Sequence, residues 1–234
     1  PFSIEAVELL SEIGMPAWKI GSGEVFNLPL LNLIIDFKVP ILLSTGMSNW
    51  DEIEKTINYL KPKNTELALF QCTSKYPTSL EEIGLNILKE IKKRFNVANG
   101  LSDHSGILWP GVGAIANQAD FLEVHVNFDR AMYGPDSTSS LNFEELSMLC
   151  EANRSFMKMR KNPINKNISA KELIHTKSLF TKSVCLKNDY SAGTIIRKEM
   201  LTQKKPGGGI NFEDINKVVG KRLKSDLKAN RILR

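Results

Sequence analysis

Short apolar runs recur through the first 160 residues of the chain, and their starts lie 24 to 30 residues apart. Stretches with helical spacing separate them, such as 50–60 and 80–95, where Leu85, Leu88 and Ile91 share one face. Because strands that alternate with helices of this length form βα units, the pattern predicts a parallel sheet covered on both faces. The predicted strands are Ala17–Ile20, Ile41–Leu43, Leu67–Phe70, Val97–Leu101 and Phe121–Val126.

These five units, with a leading helix at Ser3–Ile13, predict an α/β domain over residues 1–160. A complete eight-unit barrel needs about 250 residues, so the pattern leaves open a small open sheet or a barrel without its first strands. The polar segment 161–175 is predicted to be a linker.

Residues 176–234 are predicted to form a small second domain of short strands, which include Ser178–Cys185 and Thr194–Ile196, with a turn at Pro206–Gly209. Its charge differs from that of the rest of the chain. Residues 1–175 carry 17 basic and 21 acidic side chains, whereas residues 176–234 carry 14 basic and 5 acidic ones. A basic domain next to a mildly acidic one suggests an anionic partner.

The composition is that of an ordinary globular protein, because 42% of the 234 residues are hydrophobic and 24% are charged. No apolar run approaches the roughly 18 residues that span a bilayer, so we expect no membrane segment. Cys72, Cys150 and Cys185 all lie in apolar contexts and are predicted to be reduced and buried, which suits a cytoplasmic protein.

Each predicted strand ends in small polar or charged residues. Parallel strands present their carboxyl ends on one face of the sheet. These side chains are therefore expected to line one binding site there: Lys19, Ser22, Ser44, Ser74, Ser102, His104 and His125. A cation among hydroxyls suits a phosphate, and two imidazoles on neighbouring strands can hold a divalent metal. A single strand-end serine is more often a helix cap, and a lone histidine such as His175 is more often a plain surface residue.

Three further residues lie on loops just beyond the strands, namely Glu24, Tyr76 and Asp136. Carboxylates in such positions suit a substrate rich in hydroxyls, because each can accept two O–H bonds. The pattern alone does not separate this role from that of an ordinary solvated loop charge.

Six segments in order along the chain resemble the sialic acid synthase family, which includes the N-acetylneuraminate, legionaminate and pseudaminate synthases. They are KIGSGE (Lys19–Glu24), ILLSTGM (Ile41–Met47), QCTSKYPT (Gln71–Thr78), GLSDHS (Gly100–Ser105), EVHVNFDRAMYGPD (Glu123–Asp136) and KKPGGGI (Lys204–Ile210). The resemblance implies a TIM (β/α)8 barrel, here lacking its first strands, followed by a small, mostly β antifreeze-like (SAF, β-clip) domain. It also implies a homodimer in which that domain caps the partner's site.

The implied reaction condenses phosphoenolpyruvate with the open-chain aldehyde of an N-acylated mannosamine-type sugar, giving a nine-carbon 2-keto acid and phosphate. By resemblance, His104 and His125 are catalytic metal ligands, usually for Mn²⁺, and Lys19 is catalytic as well. The positions expected to bind phosphoenolpyruvate are Lys19, Ser22, Ser44, Ser74 and Ser102. Those expected to contact the aminosugar are Glu24, Tyr76, Asp136 and Lys205.

The chain departs from the family pattern at three points. Ser74 stands where neuraminate synthases carry Asn. Lys205 stands where the capping motif usually has Arg, so the positive charge is kept but the planar guanidinium with its paired N–H donors is lost. Family members also carry about a hundred residues before the position of Pro1, including an acidic residue expected to transfer protons. We therefore expect this polypeptide alone to be insoluble or inactive, since five strands would leave open sheet edges.

Two other classes of function remain as alternatives. Related synthases that use a sugar phosphate, or that make 3-deoxy keto acids, share the fold and phosphoenolpyruvate. The basic second domain could instead be a binding module for nucleic acid or ice. Its aromatic residues, Phe180, Tyr190 and Phe212, are not interleaved with the basic ones, so we expect no nucleic-acid binding.

Overall fold

A computed structural model describes residues 1–63 and 66–234 of the chain. It divides into two compact units, residues 1–162 and residues 163–234. The polar segment predicted as a linker, 161–175, contains the last residue of one long helix, the whole of a short helix and the first two residues of another. Each unit is built around its own apolar core.

Six parallel strands form one sheet in the first unit, and their order in the sheet is their order in the chain. The strands are β1 (Trp18–Ile20), β2 (Ile41–Ser44), β3 (Leu67–Cys72), β4 (Ala98–Asp103), β5 (Phe121–Val126) and β6 (Ser140–Leu141). The first five lie where the apolar runs predicted them. The sixth was not predicted, because it has only two residues and one of them is Ser140.

Helices follow the strands as the βα pattern predicts. They are α1 (Ile4–Ile13), α2 (Leu28–Asp36), α3 (Trp50–Leu60), α4 (Leu85–Phe95), α5 (Leu108–Ala116) and α6 (Phe143–Lys161). Two of them begin with a reciprocal capping box: Asn49 caps α3 together with Glu52, and Asn142 caps α6 together with Glu145. The predicted helical stretch 80–95 is a short 3₁₀ turn followed by α4, because Gly84 adopts a left-handed conformation with φ of 71°.

The largest core of the first unit lies between β1–β3 and the helices beside them. Ile20, Leu43 and Leu69 of the strands pack with residues such as Leu31 and Ile57 of the helices, and all are at most 1% exposed. Full burial of such a side chain stabilises the fold by about 1.5–3 kcal/mol. This core fixes the direction of the strands and hence the place where they end.

Burial is weaker at the far side of the sheet. Residues in β5 are only half-buried or exposed, so the expectation that both faces of every strand are covered is wrong for this strand. Cys150 of α6 is likewise exposed, whereas Cys72 and Cys185 are buried as predicted. Cys150 and the β5 residues Phe121, Leu122 and Val124 line a common cavity, which leaves them accessible.

The second unit contains two short helices and a small antiparallel sheet, with elements α7 (Lys166–Glu172), α8 (Ile174–Phe180), β7 (Ser183–Leu186) and β8 (Leu201–Lys204). Isolated bridges such as Tyr190 with Leu227 add to it. The predicted strand 178–185 is therefore half helix, since the amide of Thr181 closes α8 on the Lys177 carbonyl. In the part of the chain described, no helix combines the length and apolarity needed to cross a bilayer.

Candidate active site

The carboxyl ends of the strands in the first unit surround a cavity of about 270 Å³. Twelve residues line it: Pro1, Phe2, Lys19, Gly21, Ser22, Ser44, Cys72, Tyr76, Ser102, His104, Glu123 and His125. They include seven of the residues picked out from the sequence. Ser74 lies close by, since a side-chain carbon added to Gly46 would come within 2.7 Å of its Oγ.

A charged chain of contacts crosses the cavity. Lys19 of β1 donates a hydrogen bond to Ser44 Oγ of β2 (2.9 Å) and forms an ion pair with Glu123 of β5. The other oxygen of Glu123 accepts a bond from Ser102 Oγ of β4 (3.0 Å). Because the first strand reaches the fifth in this way, the sheet must curl into an arc, and its concave side encloses the polar groups.

Small side chains converge over Gly46, at the turn after β2. Ser22 Oγ accepts a hydrogen bond from the Gly46 amide (3.0 Å) and lies 3.1 Å from Cys72 Sγ. A Cβ on Gly46 would overlap that sulfur and crowd the Ser74 hydroxyl. Hydroxyls with mobile protons beside the Lys19 ammonium are well suited to hold a phosphate or carboxylate.

The two histidines face each other in the same cavity, with ring centroids 5.3 Å apart. His104 Nδ1 lies 2.8 Å from the Thr73 carbonyl oxygen. A carbonyl can only accept, so Nδ1 carries the proton and Nε2 keeps its lone pair. Burial lowers the pKa of His104, which also favours the neutral imidazole.

Tyr76 covers the histidine pair. Its ring stacks on His104 with centroids 4.3 Å apart, and its hydroxyl lies 3.4 Å from His104 Nε2. Burial raises the pKa of the Tyr76 phenol, so it remains a proton donor at neutral pH. On the next strand, His125 Nδ1 lies 3.7 Å from the Asp136 carboxylate.

The donors present fit a divalent metal in part. His104 Nε2 is oriented by the bond that its other nitrogen makes, which is the usual way in which a protein presents a metal-binding imidazole. Among the residues that the structure describes, no group of three or more His, Cys, Asp or Glu side chains could hold a metal ion. The described residues therefore place two imidazoles side by side and no larger group of such side chains.

The remaining predicted residues lie outside the cavity. Glu24 accepts a bond from its neighbour Asn27 (2.6 Å), and Asp136 is half-exposed beside His125. Lys205 belongs to the second unit, where its ammonium lies 5.2 Å from the centre of the Phe180 ring. The loop after it is held locally, because the Gly207 amide donates to the Ser178 carbonyl (2.6 Å).

Three functional groups in or beside the site were not predicted: Glu123, Cys72 and Asp103. Glu123 could have been found, since it lies two residues before His125 and so on the same side of β5. Cys72 looked like a core residue from its apolar context. Asp103 is buried, which raises its pKa, and it accepts bonds from the Ser105 amide (3.0 Å) and hydroxyl (2.9 Å).

The fold and site define a class: a βα-repeat domain with an anion-friendly, histidine-containing cavity at the strand ends, followed by a small β-rich domain. Comparison with known families makes this specific. The model of the NeuB family matches residues 1–165, and that of the SAF domain matches residues 181–234. The chain belongs to the NeuB family, which confirms the resemblance seen in the sequence.

Individual relatives cover most or all of the chain. It is 35% identical over 237 residues to an N,N'-diacetyllegionaminic acid synthase of Campylobacter jejuni, covering 100% of the chain and 70% of that protein. A pseudaminic acid synthase of the same species is 31% identical, with 97% and 66% covered. The crystal structure of N-acetylneuraminic acid (sialic acid) synthetase from Leptospira borgpetersenii, in complex with citrate, superposes with a TM-score of 0.69 at 28% identity.

That superposition covers 76% of this chain and 62% of the Leptospira chain. The chain thus spans about two thirds of the length of these relatives.

Proposed function

We propose that this chain is part of an enzyme that condenses phosphoenolpyruvate with an N-acylated mannosamine-type sugar. The products are a nine-carbon 2-keto sugar acid and inorganic phosphate. The observation that carries the proposal is that one cavity of about 270 Å³ is lined both by a cationic, hydroxyl-rich set of side chains and by two imidazoles. An anionic donor and a carbonyl acceptor need such a pair of subsites next to each other.

Phosphoenolpyruvate binds on the side of Lys19 in this proposal. The ammonium neutralises phosphate or carboxylate charge, while the hydroxyls of Ser22, Ser44 and Ser74 donate to its oxygens. Ser102 takes part through Glu123, because its hydroxyl donates a hydrogen bond to that carboxylate. Glu123 keeps the Lys19 side chain aimed across the cavity before the substrate arrives.

The acceptor sugar binds on the side of the histidines. A divalent metal, which we propose to be Mn²⁺, would be held by His104 and His125 and would supply Lewis-acid polarisation of the aldehyde oxygen. Thr73 fixes the tautomer of His104 through its carbonyl, and Tyr76 shields the imidazole pair from water. Glu24, Tyr76 and Asp136 are proposed to contact the sugar hydroxyls.

The bonds change in two stages. The methylene carbon of phosphoenolpyruvate attacks the aldehyde carbon, and the former aldehyde oxygen takes up a proton. Water then adds to C2 of the resulting cation, a proton leaves, and phosphate departs by C–O cleavage to leave the 2-keto group. The Lys19 ammonium and the serine hydroxyls stabilise the negative charge of the departing phosphate.

Substrates of the neuraminate and legionaminate type are favoured over those of the pseudaminate type. The segment Lys19–Glu24 reads KIGSGE, which resembles the former branches more than the latter, and the legionaminic acid synthase is the more identical of the two Campylobacter relatives named above, at 35% against 31%. We further propose a homodimer in which the basic second unit of one copy caps the site of the other, with Lys205 near the N-acyl group. The charge of that unit supports this arrangement, because the site binds an anion.

The test is release of phosphate by the complete protein. Release should require both phosphoenolpyruvate and the sugar, and a chelator should abolish it. His104→Ala with His125→Ala should remove activity, whereas His175→Ala, an exposed histidine of the second unit, should not. Full activity of the double variant would refute the assignment, and the mass of the product would separate the acyl sugar branches from the sugar-phosphate and 3-deoxy branches.

A further inference from the structure

Arg130 links the two loops that follow the candidate metal ligands. It lies in the loop after β5, between His125 and Asp136 in the chain. Its Nη2 donates a hydrogen bond to the carbonyl oxygen of Gly106 (2.9 Å), which is the second residue after His104. A side chain from one loop thus holds the backbone of the other.

The same two loops also touch directly at Gly106. This glycine has a φ of 69°, which L side chains rarely adopt, and an added Cβ would overlap the Thr138 carbonyl oxygen and lie 3.1 Å from Ser139 Cα. The close approach leaves no room for a side chain, and the Gly106 carbonyl is engaged by Arg130. The segment after His104 is therefore fixed against the segment that carries Asp136.

Glu145, in the first turn of α6, pairs with the same guanidinium. Its Oε1 pairs with Arg130 Nη2 (2.5 Å), and its Oε2 accepts the Asn142 amide (2.9 Å) as part of the helix cap. The helix start, the β5–β6 loop and the β4–α5 loop consequently meet at one ion pair. Arg130 is absent from the residues that line the cavity, and its contacts with Gly106 and Glu145 are both to protein groups.

We propose that Arg130 is a positioning residue that sets the relative placement of His104 and His125. The proposal rests on the function proposed above, in which these imidazoles hold a metal. Groups that orient metal ligands from behind typically change metal affinity by about 10- to 100-fold when they are removed. One Arg130 nitrogen makes both contacts, so a lysine ammonium can replace part of the link but not its rigid geometry.

The first test is Mn²⁺ binding to the complete protein, followed by the electron paramagnetic resonance signal of free Mn²⁺. Arg130→Ala should raise the Kd about tenfold, in the range expected for outer-shell groups, and Arg130→Lys should restore part of the affinity. Arg154→Ala is the matched control, because Arg154 is an exposed arginine of α6 with no ion pair in the described part of the chain. An Arg130→Ala protein that binds Mn²⁺ as tightly as the parent would overturn the proposal.

The second test needs no metal. Backbone amide exchange, read by mass spectrometry on peptides that cover residues 102–109 and 131–139, should become faster in Arg130→Ala and stay unchanged in α3 and in Arg154→Ala. If exchange became faster throughout the protein, or did not change in either loop, Arg130 would not be a local link between the two loops. If the parent binds no Mn²⁺ through His104 and His125, the proposed metal is wrong, and this exchange pattern still decides the positional role.

Discussion

Lys19 on the first strand of the sheet forms an ion pair with Glu123 on the fifth. Two residues more than a hundred positions apart thus meet across the concave side, and each also binds a serine hydroxyl, Ser44 for the lysine and Ser102 for the glutamate. The pair is partly exposed to the cavity, with 29% and 39% of the two side chains accessible. It is therefore placed to exchange one partner for a substrate anion without unfolding anything around it.

Replacing Lys19 should damage phosphoenolpyruvate binding more than stability. We expect Lys19→Met to lower kcat/KM for phosphoenolpyruvate by about 100-fold, the usual cost of removing one charge-stabilising group from an active site. Lys55→Met on the exposed side of α3 is the control.

The variant Lys19→Met also leaves the Glu123 carboxylate without its cation. Adding Glu123→Gln should recover thermal stability but not activity, because the amide needs no counter-charge. Recovery of both properties in the double variant would contradict a role of Lys19 in binding the substrate. Steady-state kinetics and thermal melts of the same preparations separate the two effects.

Gly46 should not tolerate a methyl group. An alanine Cβ would overlap the Cys72 sulfur and lie 2.7 Å from Ser74 Oγ and 3.0 Å from Ser22 Oγ. Overpacking of this kind costs about 1–3 kcal/mol, and here it also displaces the hydroxyls proposed to bind phosphate. We expect Gly46→Ala to raise the KM for phosphoenolpyruvate and to lower the Tm.

Gly23→Ala is the matched control, since its Cβ would meet Met47 Cε at an ordinary 3.6 Å. Both variants add one methyl group close to the same loop. Equal kinetics for the two would mean that the crowding at Gly46 has no bearing on the site.

His104 should titrate below an ordinary histidine. Burial lowers its pKa, and the bond from Nδ1 to the Thr73 carbonyl opposes that shift less strongly. Charging this imidazole is thus harder in the folded than in the unfolded protein, so its contribution to stability is present above a pH of about 6.5 and is lost as the pH falls below it.

Nuclear magnetic resonance of the ring protons in metal-free protein measures this directly, with His104→Asn for assignment. We expect a midpoint below about 6.5, the value of an unperturbed imidazole. A titration midpoint above that value would contradict the structure, because it would mean that the His104 ring is more exposed to water or pairs more strongly with a carboxylate than the structure shows.

Acid should weaken the second unit through Asp189. Bonds from Lys228 Nζ (2.7 Å) and the Ala229 amide (2.7 Å) hold the pKa of this carboxyl below its usual range. A lowered folded pKa stabilises the unit above a pH of about 4, and that stabilisation disappears as the pH falls through the folded value. The Tm difference between parent and Asp189→Asn should therefore be largest at neutral pH and shrink in acid, and a difference that does not change with pH would contradict this role of Asp189.

The sequence predicted the strand positions and the convergence of polar strand ends well, because both follow from periodicity and from the single direction of parallel strands. It could not predict contacts that depend on the curl of the sheet. Glu123 reaches Lys19 only because β5 comes round to face β1, and Arg130 reaches Gly106 only because two loops meet. The prediction that Cys150 is buried was wrong for a similar reason, since its exposure depends on which elements lie over α6 and not on local apolarity.

Tyr76 offers a last test, because its ring and its hydroxyl do different things. The ring stacks on His104 with an interplanar angle of 20°, and the hydroxyl faces His104 Nε2 at 3.4 Å. Tyr76→Phe keeps the stack and frees that nitrogen from competition, so we expect unchanged or tighter Mn²⁺ binding together with a higher KM for the sugar.

Tyr76→Ala removes both features and also opens the imidazoles to water, so both Mn²⁺ affinity and kcat should fall. The KM for phosphoenolpyruvate should stay within about twofold of the parent in both variants, which corresponds to about 0.4 kcal/mol, because the Tyr76 ring packs on His104 and His125. A Phe variant that loses affinity for phosphoenolpyruvate and keeps its affinity for the sugar would reverse the proposed arrangement of the two subsites.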